Sequence, residues 1–271
     1  MRRDLVGSKG ANHVLDCNLV CVQFELAGSG VDDCIHGVFP TSFLETSSDL
    51  TGSWLPFQPA PAHRACAGIK QENKRLTVQF AELLDSFLSH LISRRDPLVQ
   101  RFLGGLSGAM RSRLLPTRRL PCERHLAPAL AYADGPTLPL LRQFVQDGPA
   151  LNWGQTYSAT DLGRDFLDNY GWVELFGTRG HFENDLVAGG FLVLGPNTLY
   201  PDHHHLAEEL YVPLTGGTEW HKGDAEFKEQ AAGALIHHAS DVNHAMRTAD
   251  APLVAIYLWR GGPLAAKSTL S

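Results

Sequence analysis

The sequence predicts a mixed α + β protein in which a helical N-terminal half precedes an all-β C-terminal half. An apolar stripe with helical spacing runs from Leu76 to Leu91. From Gly171 onward, short β-prone runs alternate with glycine-bearing turns. Seven of the 13 histidines (His203, His204, His205, His221, His237, His238 and His244) fall between positions 203 and 244 of that β-rich part.

The elements follow in order. Residues 1–70 mix short apolar runs, such as Asn18–Leu26, with Gly, Ser, Asp and Pro clusters, and are set apart as an extension without an assigned fold. Pro56-Phe57-Gln58-Pro59-Ala60-Pro61 reads as an extended linker. Residues 71–170 form the helical region. Leu76, Phe80, Leu83, Leu84, Phe87, Leu88 and Leu91 share one face of an α-helix. Arg94 and Arg95 suit the negative end of its dipole, and Pro97 stops it. Further helical pieces are expected near 98–104, 122–132 and 137–147, and over Asp161–Tyr170. Residues 171–263 form the β part, with strands at Trp172–Phe176, Leu186–Leu194, Glu209–Leu214, Thr218–Trp220, Ala234–His238 and Leu253–Trp259. Gly177, Gly180, Gly189-Gly190, Gly195-Pro196, Gly216-Gly217 and Gly223-Asp224 supply the turn signals of an antiparallel sandwich or barrel. Residues 264–271 are a C-terminal tail.

Composition bounds the function. Hydrophobic residues make up 44% and charged residues 19%, ordinary for a globular chain. A net charge of −6 and a pI near 6.1 argue against a nucleic-acid partner, since phosphate binding needs a basic surface. No run approaches 18 apolar residues, so no membrane span is expected. Met1-Arg2-Arg3 is not followed by an apolar stretch of the kind a secretory signal needs, and a cytoplasmic location is expected. Cys17, Cys21, Cys34, Cys66 and Cys122 form no C-x-x-C pair and read as reduced thiols. No G-x-S-x-G elbow supports a serine hydrolase.

The chemistry lies in Tyr200-Pro-Asp-His203-His204-His205-Leu-Ala-Glu208-Glu209-Leu-Tyr211. Side chains on a strand alternate faces. If this run is one extended segment, His203, His205, Glu209 and Tyr211 share a face, while His204, Glu208 and Leu210 take the other. Val212 and Leu214 then pack opposite the polar face. Two imidazoles and a carboxylate suit one divalent metal ion: zinc, iron, manganese or nickel. A third imidazole from a facing strand would complete the site, and His244, after a turn–strand–turn pattern from Gly233, is the candidate. His204, His221, His237 and His238 are expected in structural or surface roles, with Glu208 facing solvent.

Gly195…His203-x-His205-x-x-x-Glu209…Gly216 resembles the first cupin motif, and Gly233 to His244 resembles the second. Seven residues rather than five separate Gly195 from His203, and His238 stands where cupins often carry Pro. The resemblance implies a double-stranded β-helix, or jelly-roll-like, barrel with one metal that keeps open coordination positions. Tyr200-Pro-x-His-x-His-x-x-x-Glu-x-Tyr211 and the late Leu258-Trp259-Arg260-Gly261 are similar to the cupin-type dimethylsulfoniopropionate (DMSP) lyases, over roughly residues 160–263. That resemblance implies β-elimination releasing dimethyl sulfide and acrylate from a small zwitterionic substrate. It implies Tyr211 as the base or a switchable ligand, and Tyr200 and Trp259 as substrate-binding residues; His203 serves as ligand or as pocket wall. Aromatic faces tolerate a sulfonium cation. Trp172, Tyr157 and Trp220 are candidates to add to that aromatic box, with core packing their expected role. A homodimer is one allowed assembly. Another metal-dependent cupin enzyme, an isomerase or oxygenase, stays open, as does a non-catalytic metal-binding cupin sensor.

Overall fold

A computed structural model of the protein describes residues 62–106, 110–133 and 135–271. Cys17, Cys21, Cys34, the 56–61 linker and the Asn18–Leu26 run lie outside the described residues, as does the side chain of Cys66. The chain divides into Met1–Gln71 and Glu72–Ser271. Of the first unit only the start of helix α1 (Ala62–Ile92) is described. The second holds both sheets.

The predicted stripe is buried: Phe80, Leu83, Leu84, Phe87 and Leu91 of α1 all reach the core. Pro97 does more than stop that helix. It opens α2 (Pro97–Leu103), where the Asp96 side chain accepts a hydrogen bond from the Leu98 N–H at 2.8 Å. Arg94 bonds the Gly233 carbonyl at 2.5 Å rather than serving only the α1 terminus. The next helical piece is a 3₁₀ turn (Pro121–His125), the short α3 (Leu126–Ala129) and a second 3₁₀ turn (Leu130–Tyr132). Two more helices follow, α4 (Leu138–Asp147) and α5 (Ala159–Asn169).

Among the described residues twelve strands follow or interleave with these helices: β1 (Trp153–Gly154), β2 (Tyr170–Gly177), β3 (Phe182–Glu183), β4 (Val187–Leu194), β5 (Leu199–His204), β6 (Glu208–Pro213), β7 (Thr218–Lys222), β8 (Lys228–Gln230), β9 (Ile236–His238), β10 (His244–Thr248), β11 (Leu253–Arg260) and β12 (Thr269–Leu270). They form two sheets. The larger runs β1-β2-β4-β11-β6-β9 with β3 beside β2, and the smaller runs β12-β5-β10-β7-β8. All pairings are antiparallel except β2–β3. The expected barrel is therefore realised as two antiparallel sheets, with no ladder closing them into one cylinder among the described residues.

Alternation along the strands of the larger sheet decides what each face does. Val173, Phe191, Leu210, Val212, Val254 and Ile256 point to one side and share a core with the helices, including Phe87 of α1 and Phe144 of α4. Phe191 stacks on Phe144 at 3.9 Å and meets Phe87 edge-on at 5.2 Å. Their strand neighbours Leu192, Tyr211, Ala255 and Tyr257 point the other way, into a second cluster with Tyr200, Trp220 and Met246 of the smaller sheet. Both faces of β4 are buried along its whole length.

Two sequence expectations change here. Gly189-Gly190 is no turn: it lies inside β4, opposite an irregular register in β2 between Glu174 and Phe176. A Cβ on Gly190 would sit 1.8 Å from the Val173 carbonyl oxygen, so close backbone approach, not chain reversal, demands glycine there. The 264–271 tail also ends in structure, because β12 pairs with β5.

Candidate metal centre

The smaller sheet supplies two of the imidazoles. His203 on β5 and His244 on β10 are direct antiparallel neighbours, with ring centroids 4.2 Å apart. Between that pair and the next, Tyr200 opposite Met246, the ladder slips: Pro201 and Asp202 oppose Ala245 alone. This bulge turns Tyr200 and His203 to one face although their numbers differ in parity, and their rings stack at 4.0 Å and 5°.

His205 lies just past β5, in the turn before β6. Tyr200–Tyr211 is thus not one extended run; β5 and β6 belong to different sheets. Odd numbering is not what unites His203, His205 and Glu209. They meet because the 205–207 turn carries the chain from one sheet to the other. Ligand-capable nitrogens of His203, His205 and His244 all lie within 4.8 Å of one another, each ring buried. The Glu209 carboxylate comes from β6, with Oε2 3.0 Å from His205 Nε2 and 3.1 Å from His244 Nε2.

The hydrogen bonds of these rings decide what the cluster can hold. Nδ1 of His203 is 2.8 Å from the Pro201 carbonyl, Nδ1 of His205 is 2.8 Å from that of Ala207, and Nδ1 of His244 is 2.8 Å from that of Val242. A carbonyl only accepts, so each Nδ1 carries the proton. In a neutral ring Nε2 is then a lone pair. His244 Nε2 is buried and lacks a hydrogen-bond partner, being out of line with the nearby carboxylate. Three such nitrogens and a carboxylate facing one another repel unless a cation or a proton sits between them. Imidazoles oriented through Nδ1 toward carbonyls are the usual support of a metal site, so these residues fit a divalent ion.

Electrostatics agrees. Burial pushes the Glu209 carboxyl up, but the His205 and His244 imidazoles outweigh it and hold the group well below the ordinary carboxylate range. Burial lowers His205, yet Glu209 beside it produces a net rise. Burial, then His244, keeps His203 well below the usual imidazole range.

Trp259 on β11 stands directly opposite Glu209 and donates its indole N–H to Glu209 Oε1 at 2.6 Å. Its ring lies 4.1 Å from that of His205. Tyr211 faces Tyr257 across the same strand pair and packs on Trp220 at 5.0 Å. Burial, then the Glu209 carboxylate, raises the Tyr211 phenol well above its ordinary value. The Tyr200 hydroxyl donates to that of Tyr157 at 3.1 Å. Tyr200, His203, Glu209, Tyr211 and Trp259 all line one cavity of about 150 Å³.

That cavity also has walls the sequence reading did not name. Tyr170, Tyr257, Arg179 and Lys267 line it. Tyr257 was within reach of period-two reasoning, two residues before Trp259 on one strand. Tyr170, Arg179 and Lys267 carry no local signal. Trp172, expected in the core, lines the cavity too, beneath the Arg179 guanidinium at 4.8 Å. Glu208 does not simply face solvent: it pairs with Arg101 of α2 and lies 2.7 Å from His237 Nε2. His204 is 3.0 Å from Asn243 Oδ1, and His221 is 3.0 Å from Asp202 Oδ1. His238 stacks on His244 at 4.1 Å, and burial, then His244, lowers it to about 3.

Comparison with known proteins places this geometry. Residues 95–255 match the family described as DMSP (dimethylsulfoniopropionate) lyase. The chain is 35% identical over 118 residues to dimethylsulfoniopropionate lyase DddQ of Ruegeria pomeroyi. That match takes in 44% of the chain and 59% of the relative, less than two thirds of its length. The crystal structure of DMSP lyase DddQ from Ruegeria pomeroyi DSS-3 superposes with a TM-score of 0.64 at 26% identity, covering 71% of this chain and 96% of that one. A structure from the study of the DMSP lyases RdDddP and RnDddQII superposes with a TM-score of 0.66 at 29% identity, covering 72% and 98%.

Proposed function

Because the chain belongs to the DMSP lyase family, we propose that it cleaves dimethylsulfoniopropionate to dimethyl sulfide and acrylate by β-elimination at this centre. His203, His205, Glu209 and His244 hold one divalent metal ion, and Tyr211 is the base. The observation that carries the reading is the convergence of three imidazoles on one carboxylate, with His203 and Glu209 of that cluster lining the same cavity as buried Tyr211. When bound there, the ion supplies Lewis acidity toward the substrate carboxylate.

The chain's own residues do the rest. Tyr211 takes the proton from the carbon next to the carboxylate. The electrons of that C–H bond form the new C=C bond, and the C–S pair leaves with sulfur as neutral dimethyl sulfide. With no positive charge nearby, burial and Glu209 hold the phenol neutral; a cation beside it favours the phenolate. Tyr200 and Trp259 offer aromatic faces to the sulfonium, at about 0.5–2 kcal/mol each. Both cations on the lining are already matched, Arg179 by buried Glu174 and Lys267 by Asp161. No unmatched ammonium or guanidinium therefore opposes a sulfonium there.

The test is headspace detection of dimethyl sulfide from protein loaded with each of zinc, iron, manganese and nickel. Wild-type protein should release it. Tyr211→Phe should lose about 10²–10⁴-fold in rate while keeping its metal content. Silence at every metal loading, or full turnover by Tyr211→Phe, would sink the reading.

A further inference from the structure

Beyond β11 the chain arches along the cavity. It leaves beside the 205–207 turn, where a Cβ on Gly262 would lie 2.6 Å from the Ala207 nitrogen. Leu264 through Ser268 all line the cavity. The arch is tied at several separate points. The Arg179 guanidinium approaches the carbonyls of Leu264 at 3.4 Å and Ala265 at 3.5 Å. The Lys267 ammonium bonds the Asp161 carboxylate of α5 at 2.8 Å and lies 5.3 Å from the Tyr157 ring centroid. Thr269 and Leu270 then pair with His204 and His203 on β5, and the Ser271 N–H donates to the Asp202 carbonyl at 3.0 Å. Leu264 and Ser268 are buried at the two ends, with Ala265 and Ala266 between them.

A segment fastened to β5, α5 and the Arg179 loop is a wall, not a loose tail. The side chains it brings are small or apolar, apart from a lysine already paired with Asp161. Resting on the reading above, with the carboxylate end of the substrate at the imidazole–Glu209 cluster, we propose that Leu264–Ser268 is the specificity-determining wall that limits the alkyl groups on the cationic end. The two sheets fix where the carboxylate end sits. The arch fixes how much room is left beyond it. Pockets of this kind discriminate added methylenes because a packed wall must yield for each one.

The experiment is calorimetric binding of 3-(trimethylammonio)propionate and 3-(triethylammonio)propionate to the metal-loaded full chain, so that no turnover is needed. Three proteins are compared: wild type, a chain ending at Gly262, and Lys267→Met, which removes the Asp161 tie at a half-exposed position. Wild type should prefer the trimethyl compound by about tenfold or more. The shortened chain should bring the two affinities within about threefold, and Lys267→Met should narrow the gap. If the shortened chain does not fold, Lys267→Met decides. An undiminished preference in the folded variants, with dimethyl sulfide still released from DMSP by wild type, overturns the wall and leaves the lyase reading standing. Failure of wild type both to bind the trimethyl compound and to release dimethyl sulfide overturns both.

Discussion

Trp259 holds the Glu209 carboxylate at 2.6 Å while its ring covers His205 at 4.1 Å. One side chain thus orients two of the candidate ligands. The sequence pointed to it through family resemblance as a surface for the substrate; its hydrogen bond to Glu209 is a tertiary fact, since positions 209 and 259 meet only across β6 and β11. Replacing Trp259 by Phe keeps an aromatic ring beside His205 and removes the N–H. The expected outcome is metal affinity reduced by about 10–100-fold, the usual cost of losing support behind a ligand. Titration against a chromogenic chelator measures it, and unchanged affinity would show that the carboxylate needs no such support. The grouping of His244 with His203 and His205 was legible from residue type and motif spacing. The Nδ1 bonds to the Pro201, Ala207 and Val242 carbonyls were not, because backbone direction at a bulge or turn is set by the neighbouring strand.

At the scale of elements, the stripe on α1 and the alternation in β6 and β11 were readable because each repeats a fixed period over many residues. The β5–β6 segment was not. A bulge at Pro201–Asp202 and a turn at 205–207 each reset the period, so His203, His205 and Glu209 meet through a change of sheet and not through a shared strand face. β4 offers a direct test of backbone approach. Gly190→Ala forces a Cβ against the Val173 carbonyl oxygen, which lies in a ladder and cannot swing away. The expected loss is about 2–3 kcal/mol, seen as a melting temperature lower by about 5–10 °C. A variant that melts with wild type would mean β2 can shift without cost.

At the scale of the whole molecule, one contribution to the pH dependence of stability comes from His181, which does not line the cavity. Burial, then Arg113, lowers His181 to about 4 from an ordinary 6.5. It packs edge-on against Phe80 at 4.6 Å and takes the Asn152 N–H at 3.2 Å. Because the folded value is depressed, the unfolded chain binds the proton first as pH falls. Stability is therefore full above pH 6.5 and is lost down to about pH 4, by a total on the order of 3 kcal/mol. Urea midpoints of metal-free protein at pH 7 and pH 4.5 should show the fall, and His181→Gln should make it shallower. An equal slope in that variant would assign the effect to other groups. By itself the sequence determined the α + β order, the β-rich C-terminal part and the candidate ligand types, because periodicity and residue chemistry are local properties. Only the tertiary structure decided that two sheets bring those ligands together. It also decided that Arg179, Lys267 and the C-terminal arch wall the cavity. Those contacts join segments about a hundred residues apart, and no local pattern encodes a meeting that packing alone arranges.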